Sequence, residues 1–145
     1  MRHLIHFRTA ATWAFRIFLV LAVFHLIVVV GILAFDHEPV DLLWGGRVER
    51  GELLGFELFA LVVNTACIGL VLLASGRIGS GTAQRIGRWL MWPLVVMFIL
   101  NTVGNLLATS WFERIMAAVT VLLALLCLRL AMGPDRPPPA STQGS

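Results

Sequence analysis

The sequence predicts an all-α protein, a bundle of four transmembrane helices that cross the bilayer up, down, up and down. Two observations predict this fold. First, hydrophobic residues make up 59% of the chain and charged residues only 13%, a balance that cannot cover a water-exposed surface. Second, a bilayer core about 30 Å thick needs about 20 apolar helical residues per crossing, and four stretches supply them. The predicted spans are residues 13–35, 53–75, 89–109 and 114–132.

The 145 residues are predicted to form one domain. Residues 1–133 hold the four spans and leave no room for a separate soluble domain. The third and fourth spans are joined only by Ser110 to Arg114, which predicts a tight antiparallel hairpin. Residues 134–145 read PDRPPPASTQGS, a composition that predicts a disordered, proline-rich cytoplasmic tail. The long first apolar run favours a retained signal anchor over a cleaved signal peptide.

Arginines predict the orientation of the chain. The formal charge is +3, but the eleven arginines form no basic run, which argues against a nucleic-acid partner. Arginines outside the spans lie before the first span, between the second and third, and after the fourth: Arg2, Arg8, Arg77, Arg85, Arg88 and Arg136. The connection 36–52 is acidic instead. Because cytoplasmic segments carry the excess of arginine, both termini are predicted to be cytoplasmic. The chain contains no lysine, which is typical of the codon bias of a high-GC genome and indicates a bacterial origin. We therefore expect the cytoplasmic (inner) membrane.

Two connections have their own sequence patterns. Residues 36–52 contain the turn signals Pro39 and Gly45-Gly46 and are predicted to lie on the outer membrane surface, with Trp44 at headgroup level. The glycine-rich loop 76–88 is similar to a nucleotide-binding loop, but it lacks the third glycine and a preceding strand. A flexible turn is the better interpretation.

Polar residues inside the spans are the candidates for chemistry. At 1.5 Å per residue, one residue of each span lies within about 5 Å of the midplane, and two more lie about 10 Å towards the outer side. The midplane residues are His25, Asn64, Asn101 and Thr120, and the outer pair is Glu57 and Asn105. Helical spacing puts each of them on a face that we expect to look into the bundle.

These inward faces have small or weakly polar neighbours at three- and four-residue spacing. His25 shares its face with Ala14, Phe18, Ala22 and Val29. Glu57 and Asn64 share theirs with Ala60 and Cys67, and Asn101 and Asn105 share theirs with Phe98 and Ala108. Thr120 lies in a stripe with Ala117, Ala124, Cys127 and Ala131, and small residues of this kind let helices approach closely.

Two interpretations of these groups stay open. In the first they form a polar passage, with Glu57 as the protonatable or cation-binding group, His25 as a proton relay, and the asparagines as ligands. In the second they only form hydrogen bonds between helices. In both, Arg16 and Arg129 lie about half a turn from the inward faces of their helices, where they are predicted to reach the headgroups as lipid-facing anchors. Neutralisation of Glu57 by Arg47, Arg50 or Arg114 at the outer rim would make it a structural carboxylate.

No metal or cofactor is expected. Asp36, His37, Glu38 and Asp41 are metal-capable residues in one loop, but no second cluster closes a coordination shell. Cys67 and Cys127 form no CxxC motif, and a packing role is favoured over a redox role. Haem between helices usually needs two histidines, and His25 is the only histidine within a span, so haem would require a dimer.

Four helices with an intramembrane glutamate resemble the small multidrug-resistance exporters. Those proteins carry the acid in the first helix, whereas this chain carries Glu57 in the second. We expect an accessory or structural multi-pass membrane subunit that works with a copy of itself or with a larger membrane partner. The alternative is a small transporter or channel subunit. An enzyme is not expected, because neither a nucleophile with its base nor a metal cluster is visible.

Overall fold

The computed structural model describes residues 5–37, 39, 43–44, 48–49 and 51–134. These residues form four helices: α1 (Phe7–Phe35), α2 (Leu53–Ser75), α3 (Thr82–Leu106) and α4 (Trp111–Ala131). Each is long and apolar enough to cross a membrane, which confirms the predicted all-helical chain with four candidate spans. The bounds of α2 match the sequence prediction. Helices α1 and α3 begin earlier than the predicted spans, because polar turns at their starts continue the helix beyond the apolar run.

Two hydrophobic clusters hold the helices together. The main core draws on all four helices and is centred on fully or almost fully buried side chains that include Phe18, Val71, Met91, Leu123 and Leu126. A smaller group, the loop cluster, consists of Ile32, Leu43 and Leu53 with the partly buried side chains packed on them. Leu43 is 7% exposed, so the described part of connection 36–52 inserts an apolar side chain between helices.

Helices α2 and α3 approach most closely at Gly87. A Cβ atom added there would lie 2.7 Å from the backbone nitrogen of Ala74 and 2.9 Å from Cβ of Leu73. The chain can turn back into this contact because α2 ends at Gly76, whose φ of 74° is left-handed and favours glycine. Arg77 closes the turn through its backbone N–H, which donates to the carbonyl of Leu72 at 3.0 Å. A residue without a side chain therefore sets the spacing of these two helices.

Arg129 lies in the interior of the protein, so the prediction that it faces lipid is wrong. Its side chain is 0% exposed. Its Nε donates to the carbonyl of Ile5 at 2.7 Å and its Nη1 to the carbonyl of Gly133 at 2.7 Å, and Phe7 lies 5.6 Å from its guanidinium carbon. The cause is the early start of α1, because the segment before residue 13 packs over the end of α4 instead of lying outside the bundle. Arg16, by contrast, is exposed beside Trp13.

Several sequence predictions fall outside the described residues. They include the tail from residue 135 onward, the proposed Glu57 partners Arg47 and Arg50, and the loop acids Glu38 and Asp41. Arg114 is described, and its Nε donates to the carbonyl of Ala108 at 2.9 Å.

Candidate functional site

A buried polar cluster of His25, Trp44 and Glu57 joins α1, the connection 36–52 and α2. Nδ1 of His25 lies 2.6 Å from Oε2 of Glu57. The indole N–H of Trp44 donates to Oε1 of Glu57 at 2.8 Å. Each carboxyl oxygen of Glu57 therefore has one protein partner, and the side chain itself is 0% exposed. This cluster is the strongest candidate for a functional site in the described structure.

The elements around the cluster explain why these three residues meet. Glu57 lies in the second turn of α2, on the same face as Ala60 and Cys67, and all three are buried. His25 shares the buried face of α1 with Ala22 and Val29, as the helical spacing predicts. Trp44 reaches down from the connection, where its neighbour Leu43 is anchored in the loop cluster.

Aromatic rings close the cluster off from its surroundings. The ring of Phe24 meets the His25 imidazole edge-on at 5.4 Å and stacks on Phe112 at 5.8 Å. Trp44 packs against Phe56 with ring centroids 5.1 Å apart. The His25 side chain is 16% exposed, which leaves a small part of the imidazole uncovered. Hydrocarbon-like surroundings make a hydrogen bond to a carboxylate costly to break, because no water replaces it.

Trp44 has a hydrogen-bond partner that the sequence does not predict. Trp13, Trp89, Trp92 and Trp111 are exposed, as residues of a membrane-interface belt would be. Trp44 is instead half-buried and bonded to Glu57. Its φ of 54° is left-handed, a conformation that costs a non-glycine residue roughly 1–2 kcal/mol. The contacts of the cluster and the loop cluster hold the backbone in this conformation.

His25 and Glu57 are predicted to lie in different layers of the bundle, whereas their side chains are in direct contact. The prediction places the centres of all spans at one depth. In the structure α1 and α2 are offset along their axes, because His25 lies ten residues before the end of α1 and Glu57 only four residues after the start of α2.

The other predicted site residues do not join the cluster. The amide of Asn64 donates to the carbonyl of Ala60 at 2.8 Å, within its own helix. Thr120 is buried, as predicted for its small-residue stripe, and its hydroxyl lies 2.9 Å from that of Thr102. Asn105 is half-buried near the end of α3. Asn101 is exposed, so the prediction that its side chain faces the interior is wrong.

The exposure of Asn101 has a geometric cause. The inward face of α3 is centred on Met91, Val95 and Phe98, all of which are buried. At 3.6 residues per turn, Asn101 is rotated about 90° from the centre of that face. Thr102, not Asn101, lies at the centre of that face. Its hydroxyl contacts that of Thr120 on α4 at 2.9 Å and also donates to the carbonyl of Phe98 at 2.8 Å.

Trp44 and Thr102 are the polar partners that the sequence prediction missed. Thr102 follows Phe98 by four residues, a signal that could have identified it as inward-facing. No comparable signal identifies Trp44, because an irregular connection has no residue spacing from which the direction of its indole can be predicted.

The chemistry available to the cluster is proton exchange. One proton lies between Nδ1 of His25 and Oε2 of Glu57: either the imidazole N–H donates to a carboxylate, or a carboxyl O–H donates to the imidazole. Cys67 and Cys127 are buried with free thiols in the main core and are separate from this cluster. Comparison with protein-family models, with curated proteins and with solved structures finds no match for this chain.

Proposed function

We propose that this protein is an accessory or structural subunit of a bacterial inner membrane, that it is not an enzyme, and that it assembles with a second copy of itself. Both termini are cytoplasmic in this proposal, and the helices alternate up and down with a tight hairpin between α3 and α4. The contact of Gly87 with Ala74 and the hydrogen bond from Arg77 to Thr12 at 2.8 Å support the alternation, because each joins the start of one helix to the end of another.

The observation that carries the proposal is the exposed side chain of Asn101. This amide lies five residues before the end of α3, about 8 Å inside the helix. It has no hydrogen-bond partner among the described residues. On the same side of α3, the half-buried Met97 and the exposed Gly104 lie about one turn away from it, and neither has a hydrogen-bonding side chain. A polar amide in hydrocarbon is stabilised when a second helix supplies its hydrogen bonds, so this surface favours a partner.

A second copy of the chain is the partner whose chemistry fits best. An amide carries both a donor and an acceptor, so two copies related by a two-fold axis can pair Asn101 with Asn101 through two equal hydrogen bonds. Gly104, one turn further along α3, is exposed, and a Cβ atom added there would meet nothing within 4 Å. The backbone of an approaching helix can therefore come close beside the amide.

The proposal is tested by energy transfer between donor- and acceptor-labelled copies in lipid vesicles at decreasing protein density. The wild-type chain is expected to self-associate, and Asn101→Leu is expected to raise the dimer dissociation constant about 5- to 30-fold. This range corresponds to about 1–2 kcal/mol for the lost pair of hydrogen bonds. The labels are fused to the amino terminus, which lies outside the four helices.

Thr65→Val is the matched control for this experiment. Thr65 is also polar and exposed, but its hydroxyl donates to the carbonyl of Leu61 in its own helix at 2.8 Å. We therefore expect this variant to associate like the wild type. A wild-type chain that stays monomeric at every density, or an Asn101→Leu variant that associates equally well, would contradict the proposed assembly.

A second candidate function is proton-coupled transport, which one observation favours. His25 and Glu57 are two titratable groups in direct contact between membrane-spanning helices, and ionisable groups in such positions often mark proton pathways. Against this role, Glu57 is fully buried and each of its oxygens has a partner. A structural role for the pair is therefore preferred, and a flux measurement described in the Discussion separates the two.

A further inference from the structure

A cavity of about 460 Å³ lies between the start of α3 and the end of α4. Its lining combines cationic and aromatic side chains of α3 with the chain that leaves α4: Arg85, Arg88, Trp89, Trp92, Ala131, Met132, Gly133 and Pro134. Residue 85 is three and four positions before 88 and 89, and residue 92 is four and three positions after them, so all four occupy one face of α3. No acidic residue lines the cavity among the described residues.

Both guanidinium groups of this cavity are available to a ligand. Arg85 is exposed and Arg88 is half-buried, and neither has a hydrogen bond or an ion pair to another described residue. Arg88 packs beside Gly133, where an added Cβ atom would lie 3.5 Å from its Nη1. A half-buried cation that has no counterion within the described part of the chain attracts an anion, and arginine binds phosphate oxygens through paired N–H donors.

The surface next to the cavity is apolar and belongs to the same face of α3. Val96, Ile99 and Val103 continue the row of Arg85, Trp89 and Trp92 along the helix, and all three are at least half exposed. Trp89 is 70% exposed, and tryptophan side chains prefer the boundary between headgroups and hydrocarbon. The cationic end and the apolar row together fit an amphiphilic anion.

We propose that this face of α3 is a binding site for an anionic phospholipid of the surrounding membrane. The phosphate lies between Arg85 and Arg88, the indoles of Trp89 and Trp92 pack on the glycerol region, and one acyl chain runs along Val96 and Ile99. Basic pockets between transmembrane helices bind anionic headgroups through this combination of charge and interfacial position. The site is independent of Asn101, which lies elsewhere on α3.

Native mass spectrometry of protein released from nanodiscs tests the site. With equal amounts of phosphatidylglycerol and phosphatidylcholine in the disc, the wild-type chain is expected to retain phosphatidylglycerol selectively. Arg85→Gln with Arg88→Gln is expected to weaken this binding roughly 25-fold, about fivefold for each arginine near an anionic lipid. Arg85→Gln alone replaces an exposed side chain and leaves the packing of Arg88 undisturbed. This variant is expected to weaken phosphatidylglycerol binding about fivefold.

Arg8→Gln with Arg16→Gln is the matched control, because it removes the same charge from two exposed arginines that do not line the cavity. This variant is expected to retain phosphatidylglycerol like the wild type. An equal loss in the control variant, equal retention in the cavity variants, or no preference over phosphatidylcholine would overturn the proposal. Displacement of the lipid by millimolar inorganic phosphate would also overturn it, because it would identify a site for the free anion.

Discussion

Replacing His25 with leucine is expected to lower the free energy of unfolding by about 3 kcal/mol, because it removes one partner of a buried carboxyl group. Leucine fills a similar volume, but Oε2 of Glu57 then lies in an apolar site without its 2.6 Å contact. Of the residues that the structure describes, Trp44 alone then still donates to Glu57. Reversible unfolding in mixed detergent micelles, followed by circular dichroism, measures the change.

The double variant His25→Leu with Glu57→Leu provides the control for this prediction. Glu57→Leu alone leaves Nδ1 of His25 and the indole N–H of Trp44 without their partner and is expected to cost a similar amount. Removing both members of the pair avoids a buried unpaired carboxyl group. The loss in the free energy of unfolding of the double variant is therefore expected to be smaller than the sum of the two single losses by about 1.5 kcal/mol or more. Additive effects would show that the contact contributes nothing to stability.

Gly87→Ala is expected to destabilise the protein by about 3 kcal/mol, at the upper end of the usual cost of overpacking. The new methyl group would lie 2.7 Å from the backbone nitrogen of Ala74, and backbone cannot move aside as a flexible side chain can. Helices α2 and α3 would have to separate, which opens the main core where Val71 and Met91 are buried. The same unfolding assay measures the loss.

Gly69→Ala is the matched control for Gly87→Ala. Gly69 also lies inside a helix, but a Cβ atom added there would meet nothing within 4 Å. Alanine is the better helix former by about 1 kcal/mol, so this variant is expected to be neutral or slightly more stable than the wild type. Equal stability of Gly87→Ala and Gly69→Ala would mean that the close contact of α2 and α3 does not limit the packing.

Much of the fold can be predicted from the sequence, because transmembrane helices are recognised by their length and apolar composition. The bounds of α2 are predicted correctly because the polarity of the sequence changes at both ends of the helix and because Gly76 directly follows its last residue. The buried face of a helix is predicted correctly where small residues recur at helical spacing along it, as for Ala117, Ala124 and Cys127 on α4. The starts of α1 and α3 are missed because a helix can continue through polar turns beyond the hydrocarbon. Arg129 is misplaced for the same reason.

The candidate site is predicted only in part. His25 and Glu57 are identified from the sequence because ionisable residues are rare inside membrane spans. Their contact is not, because the sequence does not show how far α1 and α2 are offset along their axes. Trp44 is missed because its partner depends on how an irregular connection folds. Asn101 is misplaced because it borders the inward face of α3, where a rotation of about 90° decides between interior and lipid.

The measurement that tests the central claim most directly is proton flux in proteoliposomes under an imposed pH gradient. If the pair of His25 and Glu57 serves packing, vesicles with the wild-type protein should change internal pH at the rate of protein-free vesicles, and Glu57→Gln should leave that rate unchanged. A flux above the protein-free rate that Glu57→Gln abolishes, in a variant that keeps its helical content, would contradict the structural role and establish a proton pathway.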